Sequence, residues 1–428
     1  MNVPKKYLLI GGIVLVLGVI FYLVFANFRR PGVGIQQFTL QVWGVEDEEI
    51  FSSIAGTYQA IRPGAQIVYK QLDPGTYKEE VLNALAEGNG PDVFYIKNHD
   101  IPADIDKLYP ADPAWFNLAQ LADLFPVVVS QDVVASGSQI YALPLYVDSL
   151  ALLYNKDLFD QGAIVYPPKT WAEFQALAGK LTKLNERGQI VKSAAAIGGT
   201  EKSVDAGVDL LIALLMQNTP QITGSEEQAL PEALGSFVAS ETLDFYVQFA
   251  NSASTAYTWN DDQENSIDSF GAGKTAMILN YQSAITRIKR KSPFLNVAVS
   301  PLPQIGGETE NPVTYANYYA LAVSKQTLLS AWAWDFVIQA TTNDFIARAY
   351  LASAGHPPAL KTLISEKIGD PYLSAFAKSA LIARSWHHAN NQKIHDALND
   401  AIQSVLGGRS SNREALETAV DKINQLYQ

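Results

Sequence analysis

The sequence predicts an α/β protein of more than one domain, on three observations. From residue 38 to residue 96 the chain reads strand, helix, strand, helix, strand, an order that implies a largely parallel sheet. The alternation returns after Tyr141. The chain has 428 residues, 48% of them hydrophobic and 17% charged, enough for about two to three domains with sizeable cores.

The elements follow in order. Lys5 and Lys6 precede an uncharged run over 7–28, and Arg29 and Arg30 end it. A helix needs about 20 apolar residues to cross a bilayer, longer than the apolar core of a signal peptide. The run is therefore expected to be an N-terminal transmembrane anchor, with residues 1–30 as anchor or signal. Val24, Phe25 and Ala26 form a passable cleavage site, so removal stays open. Lys5, Lys6 and the N-terminal amine place that end inside and the rest of the chain outside the cytoplasmic membrane. Residues 31–37 are the linker.

Residues 38–43 (FTLQVW) alternate apolar with polar, as a strand does. Acids at 46–49 suit the first turn of a helix, and Pro63 with Gly64 stops it. A strand over 65–71, a helix over 76–85, a turn over 88–92 and a buried strand over 93–96 complete the first unit. In the second, Thr170 with Glu173 makes a capping box for a helix whose buried stripe is Trp171, Phe174, Leu177 and Leu181. Helices are expected over 208–216, 230–246, 328–340 and 391–406, and strands over 276–279, 295–301 and 319–323. Ser411 with Glu414 makes another capping box, followed by Leu416, Val420, Ile423 and Leu426 at helical spacing.

Composition excludes several functions. The net charge of −12 argues against nucleic acid or anionic lipid headgroups, which need a basic face. With no cysteine there is no disulfide, no thiol catalysis and no lipidated N-terminal cysteine. The run FGAGKT at 270–275 lacks the glycine a phosphate loop needs five residues before Gly273, where Asp268 stands, and reads as a turn before a strand. His387, His388 and His395 cluster without a catalytic glutamate, so no metal or other cofactor is expected. Asp148 could pair with Asp47 or Asp92 for glycoside hydrolysis, but such a pair must stand about 5–10 Å apart, which spacing does not supply. Asp92 follows Gly90 and Pro91, where an acid caps a turn. Several Trp and Tyr at strand ends suit a sugar-like ligand, whose C–H face stacks on a ring and whose hydroxyls take carboxylates and amides.

Residues 141–159 read YALPLYVDSLALLYNKDLF, with Asp148 alone in an apolar stretch. This segment, together with LQVW at 40–43, GPDV at 90–93, KTWAEF at 169–174, GAGKTAM at 271–277, SPLP at 300–303, AWAWDF at 331–336 and GRSS at 408–411, resembles the extracellular solute-binding proteins of ABC importers, in the carbohydrate-type family that includes the maltose-binding protein. The resemblance implies a two-lobed periplasmic-binding-protein fold, a hinged Venus flytrap preceded here by the membrane helix. Lobe one would be 38–145 plus 318–355, and lobe two 146–317 plus 356–428, with crossings near Leu145, Tyr315 and Gly355. It further implies a non-enzymatic, monomeric binding protein that holds a sugar or similar polar solute in the interlobe cleft and delivers it to ABC transporter permease subunits. A sensor subunit for a membrane receptor is the alternative, and an anchored glycosidase a remote one. The ligand contacts implied are Trp43, Asp47, Asn98, His99, Tyr146, Asp148, Tyr281, Gln282, Asn317, Tyr318 and Trp386. Asp148 would accept from sugar hydroxyls; otherwise it caps the helix that follows. The chain departs from relatives in KNHD at 97–100, in the tryptophan usual after the lobe-two strand, which is Tyr281 or missing, and in its cysteine-free N-terminus.

Overall fold

A computed structural model describes residues 37–427 apart from 136, 220–228, 307–311 and 387–389. The hydrophobic run over 7–28 lies outside the described residues, and among those no helix is long and apolar enough to cross a membrane.

Two five-stranded sheets organise the chain. In the first the strand order is Ala65–Gln71, Phe38–Gly44, Val93–Lys97, Tyr319–Val323 and Ala142–Pro144. The first three are parallel, as the alternation of strand and helix requires. Along Phe38–Gly44 residues 38, 40 and 42 are buried while 39 and 41 face out, the period of two that a half-covered strand shows. Val93–Lys97 is central and buried along almost its whole length, as befits a strand covered on both faces. Tyr319–Val323 runs antiparallel beside it because it arrives from the other sheet.

The second sheet has the order Val297–Pro301, Ala151–Asn155, Thr275–Asn280, Ile190–Ala196 and Lys183–Leu184. Each sheet has its own core. Leu40, Val42, Ile54, Phe94, Leu321 and Phe336 belong to the first. Leu152, Phe174, Ala195, Leu211, Leu398 and Leu416 belong to the second.

The chain passes between the sheets over 145–150 and again between strands Val297–Pro301 and Tyr319–Val323. A third passage begins at Gly355, which ends helix Asp344–Ala354 with φ of 71°, a left-handed conformation that glycine adopts without strain. These passages touch one another. Tyr146 bridges to Pro358 and Ser149 to Ala316, and Thr314–Tyr315 pairs with Ala383–Arg384. Leu363 and Ile364 of helix Lys361–Lys367 still pack in the first core. Helix Ser374–Ile382 sends Ala377 and Ala380 into that core and Phe376 against the second sheet. Helices Asn391–Leu406 and Asn412–Asn424 close the second core.

Both expected capping boxes form, at Thr170–Glu173 and Ser411–Glu414. Asn117–Gln120 forms another. The expected helix over 230–246 is two, Ala229–Leu234 and Phe237–Val247. It breaks at Gly235 because the Ser236 hydroxyl caps the second piece through the Ala239 amide. The GAGKT run is the end of helix Ser266–Gly271, a turn with Gly273 at φ 70°, and the start of strand Thr275–Asn280.

Candidate ligand-binding site

In open α/β sheets, ligands sit beyond the carboxyl ends of strands. Here the loops after Phe38–Gly44, Val93–Lys97 and Thr275–Asn280 meet one another and the passages between the sheets. They are joined by three polar networks.

The first runs from one sheet to the other. Lys97, last in its strand, donates to Asn317 Oδ1 at 2.8 Å, and its Nζ lies 4.2 Å from the centre of the Tyr319 ring. Asn317 Nδ2 stands 3.5 Å from Asp209 Oδ2, which also accepts from the Tyr281 hydroxyl at 2.6 Å. Asp209 lies in the first turn of helix Gly207–Asn218, where the helix dipole favours an acid. His395 reaches it from the C-terminal region. Its Nε2 is 3.1 Å from Asp209 Oδ1 and its Nδ1 3.4 Å from Glu201 Oε1, at ion-pair distance rather than in linear hydrogen bonds on the Asp209 side.

Burial works against every charge here, and the partners outweigh it at His395 and Asp209. For His395, burial alone would lower the pKa, but Asp209 and Glu201 push it up to about 10. For Asp209, burial raises the pKa, yet His395 and Tyr281 hold the carboxyl below its ordinary value. Burial pulls Lys97 below the usual lysine range, opposed by Asp209, Asp100 and Asp148. His99 is driven well below its ordinary value by burial and by the charges of Lys97 and His395, which makes it a neutral imidazole.

The second network surrounds Asp148. The carboxylate is buried, and its oxygens accept from the backbone amides of Ser149 at 2.9 Å, Gln282 at 3.1 Å and Ser283 at 3.4 Å. It therefore serves the N-terminus of helix Gln282–Lys291, in the opposite strand-to-helix connection, rather than the helix that follows it in the chain. Burial raises its pKa to about 6, against the pull of those amides and of His356. Gln282 Oε1 is 3.3 Å from His356 Nδ1, and His356 Nε2 is 3.2 Å from Glu46 Oε1. Tyr146 stacks on the His356 ring at 4.1 Å.

The third network is a buried cross-link. Asn98 Nδ2 donates to Asp132 Oδ2 at 3.0 Å and to Ser385 Oγ at 2.9 Å, and Asn98 Oδ1 accepts from the Tyr318 amide. The Tyr318 hydroxyl donates to the same Asp132 oxygen at 2.6 Å. Asn98 and Tyr318 are thus engaged in joining the end of the first sheet to two passages.

Of the remaining expected residues, Trp43 is half-buried with Lys70 Nζ 4.0 Å from its ring centre. Asp47 is exposed and accepts from Gln71. His99 is buried with its Nε2 4.0 Å from Asp100. Trp386 is buried in the second core. His387 and His388 lie outside the described residues. Asp92 accepts from the Gln41 amide and the Thr327 hydroxyl, a structural post at a turn.

Sequence reading passed over Glu46, Lys97, Asp209, His356 and His395 as site residues. The signal for Asp209 was available, since it is a lone acid in the apolar run 208–216, as Asp148 is in its own. Glu46 was hidden among the acids at 46–49, yet it alone of the four is buried, accepting from the Tyr350 hydroxyl at 2.8 Å.

The chain is similar over its length to known proteins. A putative binding protein of Brucella abortus (strain 2308) is 21% identical over 423 residues, covering 94% of this chain and 96% of that protein. The maltotriose-binding protein of Pyrococcus abyssi (strain GE5 / Orsay) is 24% identical over 342 residues, covering 77% and 68%. A crystal structure of a cyclo/maltodextrin-binding protein complexed with maltotetraose superposes with a TM-score of 0.73 at 19% identity, over 91% of this chain and 97% of that one. An ABC substrate-binding protein from Listeria monocytogenes in complex with cycloalternan superposes with a TM-score of 0.71 at 18% identity, over 91% and 98%. These likenesses establish the two-lobed periplasmic-binding-protein fold. The model of the bacterial extracellular solute-binding proteins matches residues 44–356, most of the chain, and the chain is a member of that family of binding proteins.

Proposed function

We propose that this chain is the membrane-tethered, extracytoplasmic solute-binding component of an ABC transporter, and that its solute is a saccharide taken up between the two lobes. The observation that carries the reading is the seam Lys97–Asn317–Asp209–Tyr281. It spans both sheets and alternates donors with acceptors beside the Tyr319 ring. Such a seam suits a guest whose hydroxyls both donate and accept and whose ring has an apolar face. The names of the Pyrococcus relative and of the structural neighbours, which bind maltotriose, maltotetraose and cycloalternan, support it.

Lobe one comprises 38–145 and 318–355, and lobe two 146–317 and 356–428, with 359–383 packing back on the first core. Tyr146, Tyr281, Gln282 and Asn317 line the cleft with Lys97 and Asp209. Trp43, Asp47, His99 and Trp386 belong to its surrounding loops and walls. Asp148 acts through Gln282 and Ser283, and Asn98 and Tyr318 through the hinge. A solute that touches both lobes favours the closed form by its difference in affinity for the two states. The permease then takes the closed monomer, held at the membrane by residues 7–28. No catalytic step and no cofactor enter.

The test is a thermal-shift screen over maltodextrins, other mono- and oligosaccharides, short peptides and polyamines, followed by small-angle scattering with each hit. Saturating saccharide at 100 times its Kd stabilises by about 2.7 kcal/mol, and the radius of gyration falls. Saturable binding with unchanged dimensions refutes closure. A screen in which only peptides or polyamines bind refutes the saccharide.

A further inference from the structure

His356 stands where three parts of the molecule meet. It follows Gly355 at the start of the third passage. Its ring lies flat on Tyr146 of the first passage, at 4.1 Å and 13°. Its two nitrogens point to opposite lobes. Nε2 is 3.2 Å from Glu46 Oε1, beyond the first strand of the first sheet, and Nδ1 is 3.3 Å from Gln282 Oε1, beyond strand Thr275–Asn280 of the second.

We propose that His356 is a proton-dependent latch between the lobes, tying Glu46 to Gln282 more strongly when charged than when neutral. The proposal rests on the hinge-closure reading above.

Both partners present acceptor oxygens. An imidazolium donates from both nitrogens and satisfies both. A neutral ring has a single N–H. Given to Glu46, it leaves Nδ1 facing Gln282 Oε1 with lone pair against lone pair. Gln282 can turn its amide to donate instead, which restores a bond but forfeits the charge on the bond to Glu46, and charge-assisted bonds are roughly twice as strong as neutral ones. Gln282 cannot retreat as a whole, because its backbone amide is held by Asp148. Protonation is the change that acid brings to an imidazole. Acid therefore favours the latched form.

The titratable groups facing the ring are Glu46, Tyr350 from helix Asp344–Ala354, and Tyr146 and Asp148 from the first passage. The tyrosines stay neutral over this range because burial raises their pKa well above its ordinary value. Asp148 loses charge as pH falls through about 6, which loosens its hold on Gln282 and opposes the latch. Its effect has to be separated in the test.

The chain has no cysteine, so one dye can be placed in each lobe without interference. The exposed positions N89C and E186C serve. Donor–acceptor transfer is read on the full chain from pH 5.5 to pH 8, ligand-free and with maltotetraose. The closed-to-open ratio is expected to rise about fivefold from pH 8 to pH 5.5. H356F keeps the stack on Tyr146 and is expected to abolish the dependence; H356Q is the second variant should H356F not fold. D148N is expected to keep or steepen it. A flat profile in the parent chain, or an unaltered one in H356F or H356Q, overturns the latch. Failure of maltotetraose to bind at any pH counts against the saccharide alone, since the ligand-free profile still reads the latch.

Discussion

Replacing His395 with Gln tests the electrostatics of the seam. The imidazole sits between Asp209 and Glu201, and these acids push its pKa from 6.5 to about 10. A histidine whose pKa is raised by folding contributes stability that is complete below its unfolded value and is lost as pH rises through its folded value. The window is therefore pH 6.5 to about 10. At about 1.4 kcal/mol per pH unit the ceiling is ~5 kcal/mol. Removing one partner of a buried pair costs roughly 3–5 kcal/mol, because the survivor, here Asp209, keeps its desolvation without its counter-charge. H395Q retains a side-chain amide that can donate to Asp209, so its loss is expected at the lower end, ~3 kcal/mol at pH 6.5. The assay is urea unfolding followed by tryptophan fluorescence at pH 6.5, 8 and 10. The parent chain should lose stability steadily across the series while H395Q loses much less, so that the two converge near pH 10. Parallel pH profiles for parent and variant would refute the assignment of a charged His395 to this site.

Two further substitutions read the framework around the site. Burial raises the Asp148 pKa from 3.8 to about 6, so the folded protein holds this proton more tightly than the unfolded chain, and stability falls as pH rises from about 4 to 6. D148N should flatten that segment of the pH–stability curve, worth at most ~3 kcal/mol, while keeping one oxygen for the amides of Gln282 and Ser283; an unchanged slope in calorimetric scans at pH 4 and 6.5 sinks the assignment. At Gly44 an added Cβ would stand 2.6 Å from the Tyr95 ring and 2.7 Å from the Tyr69 hydroxyl. G44A should therefore cost about 1–3 kcal/mol by overpacking, measured as a lower urea midpoint with unchanged slope; no change in midpoint would mean that both rings move aside freely.

Local chemistry was legible where local physics rules. The parallel unit over 38–96 and the capping boxes at Thr170–Glu173 and Ser411–Glu414 depend on period and on contacts three residues apart, and they formed as expected. The helix over 391–406 also matches. The split at Gly235 was missed because a run of apolar residues continues across it and hides the cap at Ser236. The helices Asp344–Ala354, Lys361–Lys367 and Ser374–Ile382 were missed as well. The last of them divides its buried residues between two cores and so presents no single stripe.

By itself, the sequence determined the α/β class, the absence of thiol chemistry, and the presence of lone acids in apolar runs. Such an acid must find partners, because a buried charge without them is too costly to keep. Which partners it finds was decided by the tertiary structure alone. Asp148 meets Gln282 across 134 positions, and Glu46 meets His356 across 310. Spacing along the chain carries no information about such distances, since they arise only when two sheets, each with its own core, bring their loops to a common seam.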